Sequence, residues 1–151
     1  DNKINEKLIV KSRNVTQKRL ELCGIKKIEE IIIPHKENIL CNKIQICINR
    51  NVDIILIIGP HAITHIKDVI PNAISKSGAK IIRFGIPVEP GNLLLLSKFK
   101  SSNKDIYIIG MPSCAKSPKE NGLDWVLWRI LCNINFKNSN LNELSVGGLI
   151  K

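Results

Sequence analysis

"VDIILIIG", residues 52–59, is an almost unbroken run of aliphatic residues that stops at a glycine. A strand that is apolar on both faces needs cover on both faces. The run therefore predicts a strand in the middle of a parallel sheet sheathed by helices. Its surroundings fit. "KENILCNKIQICIN" (36–49) sets Ile39, Leu40, Ile44, Ile46 and Ile48 near helical spacing. "DVIPNAISKSG" (68–78) opens on an acidic residue, carries Pro71 where a first turn needs no backbone donor, and ends at Gly78, which predicts a second helix. "AKIIRFGI" (79–86) and "DIYIIG" (105–110) are further strands, and the four leucines at 93–96 predict a core strand returning to the sheet. A helix follows from Gly122 to Asn133, with Trp125, Leu127, Trp128, Ile130 and Leu131 on it as core or interface residues. Toward the start, "NVTQKRLELC" (14–23) reads as a helix closed by Gly24, and "KIEEIII" (27–33) as a strand stopped by Pro34. Strands alternating with helices imply an open α/β sheet.

The totals narrow the class. A chain of 151 residues is the size of one domain and buries roughly two-thirds of its unfolded surface. Only 4 % of it is aromatic, so the core is aliphatic. The formal charge of +10 comes with Lys, Ile and Asn abundant along the whole chain, and no basic motif is interleaved with aromatics. That pattern speaks for compositional bias and against a nucleic-acid partner, while leaving a general attraction for small anions. Cys23, Cys41, Cys47, Cys114 and Cys132 form no CxxC pair and leave an odd one over, against a disulfide framework or zinc knuckle and for a reducing, cytoplasmic setting. No apolar run reaches membrane-spanning length.

In open α/β sheets, ligands sit beyond the carboxyl ends of the strands. Three stretches follow strand ends here: "GPHAITHIKD" (59–68), "GIPVEPGN" (85–92) and "GMPSCAKSPKEN" (110–121). Each has Gly followed at once, or one residue later, by Pro. In the first, Asp68 is either a helix-start carboxylate or a group that holds a metal ion. His61 and His65 are four apart, but only a helix aligns such a pair for a metal, and this segment reads as loop. In the second, Pro90-Gly91 is a turn pair followed by Asn92. In the third, small residues let a ligand approach backbone N–H groups, and Ser113, Ser117 and Lys119 suit a phosphate at the following helix start. The alternative is a loop that exists to cap that helix at Asn121. It is no Walker motif, and Cys114 has no basic partner nearby in sequence to activate it.

"RFGIPVEPGNLLLL" (83–96) followed by "GMPSCAKSPKENGLDWVLWRIL" (110–131) closely resembles the molybdopterin-binding domain of bacterial proteins that carry a molybdenum-cofactor cytidylyltransferase domain downstream. The similarity runs from about Lys7 to Ile150 and includes "SVGGLIK" (145–151). The wider superfamily of molybdenum-cofactor biosynthesis proteins implies an α/β fold, a three-layer α/β/α sandwich with a mostly parallel sheet, often as dimers or trimers. Residues 1–133 then form the α/β domain, its first strand lying upstream or replaced by "NEKLIV" (5–10), and 134–151 a tail or linker.

Position by position, the resemblance aligns Gly59 with the opening glycine of the family's glycine-rich loop and Asp68 with its acidic residue, used with Mg²⁺ or molybdate. Pro90 and Gly91 match the start of a Pro-Gly-Lys turn, with Asn92 in the lysine's place. Gly110, Pro112, Ser113, Ser117, Pro118, Lys119 and Asn121 fall in the loop that contacts the pterin phosphate. Ser12 falls near a serine flanked by polar residues, here replaced by Lys11 and Arg13. Pro60 stands where a second glycine is usual. These departures favour a module that binds molybdopterin or the molybdenum cofactor and presents it to a cytidylyltransferase. The alternatives are an adenylyl- or molybdotransferase working through Asp68 and Mg²⁺, and a non-catalytic oligomerisation or docking module.

Overall fold

The structure, a computed structural model, describes residues 2–134 and 141–145. Helix α1 spans Asn2–Leu22, α2 Glu37–Asn49, α3 Val69–Lys76 and α4 Gly122–Leu131, and the strands are β1 Ile54–Ile57, β2 Lys80–Phe84, β3 Leu95–Lys100 and β4 Asp105–Gly110. The chain is thus mixed α/β, built on one four-stranded sheet in the order β1-β4-β3-β2.

β1 runs parallel to β4, whereas β3 is antiparallel to both β4 and β2. Three strands, β1, β2 and β4, therefore point the same way, and β3 returns between two of them. The expectation of a mostly parallel sheet is corrected accordingly: one of the three pairings is parallel and two are antiparallel. The cause is local. A short turn in which the Ser101 N–H donates to Lys104 O at 2.9 Å joins β3 to β4, and a hairpin-scale connection can only make an antiparallel pair.

β1 also differs from its predicted place. It is an edge strand; the inner strands are β4 and β3, whose Ile106, Ile108 and Ile109, and Leu95 and Leu96, are closed off from solvent. Both faces of β1 do meet apolar cover: Ile54 and Leu56 pack against one core cluster, Ile55 and Ile57 belong to the other. Apolar residues on both faces report cover above and below, not neighbours on both sides.

Side chains alternate across a sheet, so Leu96 and Ile109 face one cluster while Leu95 and Ile108 face the other. The first cluster is filled by Leu123, Val126, Leu127 and Ile130 of α4 and by Leu20 of α1. The second is filled by Leu40 and Ile44 of α2 with Ile70, Ala73 and Ile74 of α3. Helices accordingly cover both faces. Leu141 and Leu144, within the stretch read as tail or linker, are buried in the first cluster.

Two further readings are corrected at the start of the chain. "NEKLIV" is no strand, because residues 2–22 form one continuous helix whose buried positions Ser12, Arg19 and Leu20 recur at helical spacing. "KIEEIII" joins no ladder: from Ile25 to Pro34 the chain runs without helix, bridge, turn or bend. Ile25 packs against one core cluster and Ile33 against the other, so this passage carries the chain from α1's face of the sheet to α2's. That route, not β-propensity, sets its course.

Candidate functional site

Because β1, β2 and β4 point the same way, the loops after them leave one edge of the sheet. They are also joined. Lys116 Nζ donates to Gly59 O at 3.1 Å and Pro60 O at 3.3 Å, tying the third loop to the first. The Gly122 N–H donates to Pro90 O at 2.8 Å, tying the start of α4 to the second. There the backbones approach so closely that a Cβ on Gly91 would sit 2.5 Å from Gly122 N, and Gly91 has φ +125°, which favours glycine. The Glu89–Pro90 peptide is cis. A Cβ on Gly110 would lie 2.5 Å from Ile63 Cδ1, so glycine there lets the first loop pack on the end of β4.

The third loop is organised from below by a residue the sequence reading passed over. Arg19, on the last turn of α1, is only 6 % exposed. Its guanidinium donates from Nε to Asp124 Oδ1 at 2.5 Å, from Nη1 to Ala115 O at 3.0 Å, and from Nη2 to Ser117 O at 3.1 Å and Lys119 O at 3.3 Å. A planar fork of donors suits several carbonyls presented by one curved loop. Ser113–Lys116 forms a single 3₁₀ turn within it. The only sequence signal for Arg19 was its position, seven residues after Ser12 and next to Leu20 on the buried stripe of α1. On that helix Thr16 Oγ1 is buried without a hydrogen-bond partner among the described residues.

Apart from Ser12 and Asp68, the expected site residues divide into three groups. Gly59, Pro90, Gly91, Gly110 and Pro112 form the backbone scaffold, and all but the half-buried Pro90 are buried. Asn121 is buried and acts as a helix cap: its side chain accepts from the Leu123 N–H at 3.0 Å, while Asp124 Oδ2 accepts from the Asn121 N–H at 2.9 Å. Asp124 therefore takes Arg19 on one oxygen and the cap on the other. Ser113, Pro118, Lys119 and Asn92 are exposed at the rim, with Ser117 half-buried. No ion pair engages the Lys119 ammonium among the described residues. Ser12 is buried on α1, and no hydrogen bond joins it to the three loops.

Asp68 sits at the start of α3, yet it does not cap that helix with its side chain. Its Oδ2 instead accepts from the Thr64 N–H at 3.0 Å and the His65 N–H at 2.9 Å, closing the turn ahead of the helix. His65 Nδ1 accepts from the Lys67 N–H at 3.0 Å, and residues 61–65 are loop. No group of three or more His, Cys, Asp or Glu side chains lies together in metal-binding geometry among the described residues. Asp68 offers one carboxylate whose Oδ2 is committed to backbone, so a Mg²⁺ there would take its remaining ligands from a bound phosphate and water.

All five cysteines are free thiols. Burial pushes the Cys114 thiol above its ordinary value of 9.0, with the nearby Glu89 carboxylate adding to it, the opposite of the shift that activates a nucleophilic cysteine. Trp125 Nε1 donates to Glu120 Oε1 at 2.8 Å, and Trp128 is exposed on the outer side of α4. A groove elsewhere is lined wholly by α1 residues, among them Lys7, Val10, Lys11 and Val15, and by none of the three loops. No helix among the described residues is long and apolar enough to cross a membrane. Compared with known proteins, no family model matches the chain, and no curated protein or solved structure matches it.

Proposed function

We propose that this chain binds molybdopterin, or the molybdenum cofactor built on it, and presents it to a cytidylyltransferase domain or protein in molybdenum-cofactor biosynthesis. The observation that carries the reading is the joining of three strand-end loops at one sheet edge by Lys116 and by the Gly122–Pro90 bond. The two long sequence motifs that carry the resemblance make up two of those loops. Helix cover on both faces of the sheet supports the three-layer α/β/α arrangement that the resemblance implies.

In this reading the pterin phosphate lies against residues 111–121. Arg19 holds the loop's shape from inside, and the exposed Lys119 supplies the cation that meets the phosphate. Asn121 contributes by capping α4, whose first N–H groups go to Pro90 O and to the Asn121 side chain, and so fixes where the loop ends. Asp68 shapes the first loop through its Oδ2. Transfer chemistry through Asp68 gains no support from a donor set of one half-committed carboxylate, and presentation to a partner is the favoured role.

Calorimetric titration of the folded chain with molybdopterin, with and without Mg²⁺, tests the reading. Saturable binding is expected, weakened roughly tenfold to hundredfold by Lys119→Ala, the range for losing a hydrogen bond to a charged group. Absence of binding by the folded chain overturns it.

A further inference from the structure

The passage between α1 and α2 belongs to no helix or ladder. Residues 25–34 read "IKKIEEIIIP". Among the described residues, no backbone N–H or C=O from Lys26 to Ile33 makes a backbone hydrogen bond. Ile28, Ile31 and Ile32 are 42 %, 39 % and 61 % exposed. A straight, unpaired, isoleucine-rich segment on the surface is a ready template for strand pairing, the kind that proteins otherwise blunt or cover.

Its charges say which partner fits. Lys26-Lys27 and Glu29-Glu30 flank Ile28 symmetrically. Laid antiparallel on a second copy about an Ile28–Ile28 centre, the segment pairs with itself. Lys26 faces Glu30, Lys27 faces Glu29, and Ile25 faces Ile31, each twice because the two-fold axis repeats every pair. Laid parallel in register, the same segment sets like charges side by side. The pattern is therefore self-complementary in one orientation only.

The acidic half is already fixed in place by the body of the protein. Arg50 forks Glu29 through two bonds of 2.7 Å, and Arg13 Nε lies 2.5 Å from Glu30 Oε2. Among the described residues neither Lys26 nor Lys27 has an ion-pair partner. We propose that residues 25–31 pair antiparallel with the same residues of a second copy, forming a two-stranded bridge across a symmetric dimer. Arg50 and Arg13 hold the acidic residues in position, and the unpaired lysines are completed by the partner copy. This interface is independent of the loop edge proposed for the pterin.

Sedimentation velocity on the full chain tests it with two charge-reversed variants, Lys26→Glu/Lys27→Glu and Glu29→Lys/Glu30→Lys. The wild type is expected to dimerise with rising concentration, and each variant alone to lose the dimer boundary. An equimolar mixture of the two variants restores association, because opposite charges then face each other again. Hydrogen exchange on the wild type provides a second reading that needs no variant: the amides of 26–31 gain protection on dimerisation. A wild type that stays monomeric, a dimer that survives both reversals, or a mixture that fails to associate while both variants are folded would each overturn the proposal.

Discussion

At the scale of single residues, the arrangement depends most on Arg19. It and Asp124 are both nearly buried, and removing one charge of such a pair leaves the other without compensation. Arg19→Leu is expected to lower stability by about 3–5 kcal/mol in urea denaturation. Adding Asp124→Asn recovers part of that loss, since the stranded charge is gone while an amide can still accept the cap bond. No recovery would mean that packing, not charge, dominates. The sequence made the rim legible, because Ser113, Ser117 and Lys119 announce themselves in a loop of small residues. It hid Arg19, because an arginine near a helix end reads as a solvated group that favours the helix dipole. Its acceptors lie about a hundred positions away (|i−j| 96 to 105) and cannot be seen locally. Asn121 was visible under both readings, and its hydrogen bonds assign it to the cap.

At the scale of elements, α2 and α3 lie together on one face of the sheet and are linked at their rims. Glu37 on α2 accepts from Lys76 and from Asn72 Nδ2 of α3. The bond from Lys76 first, then that from Asn72, holds the Glu37 carboxyl below its ordinary value of 4.5. The Glu37 bond also raises Lys76 above 10.5. The signs follow: Glu37's contribution is complete above about 4.5 and is lost as pH falls through its depressed value. That of Lys76 is complete below about 10.5 and is lost as pH rises through its raised value. A carboxyl-detected NMR titration is expected to place Glu37 below its ordinary value of 4.5, with Lys76→Ala returning it toward that value. An unshifted Glu37 would show that the link does not persist in solution. Most elements were legible because their periodicity is local: the helix at 36–49, the strand ends at glycine, and the helix from 122. The strand read at 27–33 was not one, since β-propensity names a preference while a ladder needs a neighbour.

At the scale of the whole molecule, the α/β class followed from alternation, but strand order did not. Hydrophobic pattern reports what lies above and below a strand and is silent on what lies beside it, so β1 was read as central whereas β4 and β3 are the inner strands. The returning direction of β3 was set by a four-residue turn at 101–104, not by the strand's own residues. The extent of the domain was similarly hidden, because Leu141 sits in a polar context that reads as tail. Leu141 is fully buried, and Leu141→Ala is expected to cost about 2–5 kcal/mol by chemical denaturation. A loss near zero would restore the linker reading. The contact between Arg19 and Asp124 also orders events in time. Arg19 is synthesised early, whereas its acceptors at 115, 117, 119 and 124 arrive nearly a hundred residues later, after every strand has been made. Closing so long a loop comes after local structure in folding. The strand-end edge is therefore the last part of the molecule to take shape, and a nascent chain that has its sheet does not yet have its third loop held in place.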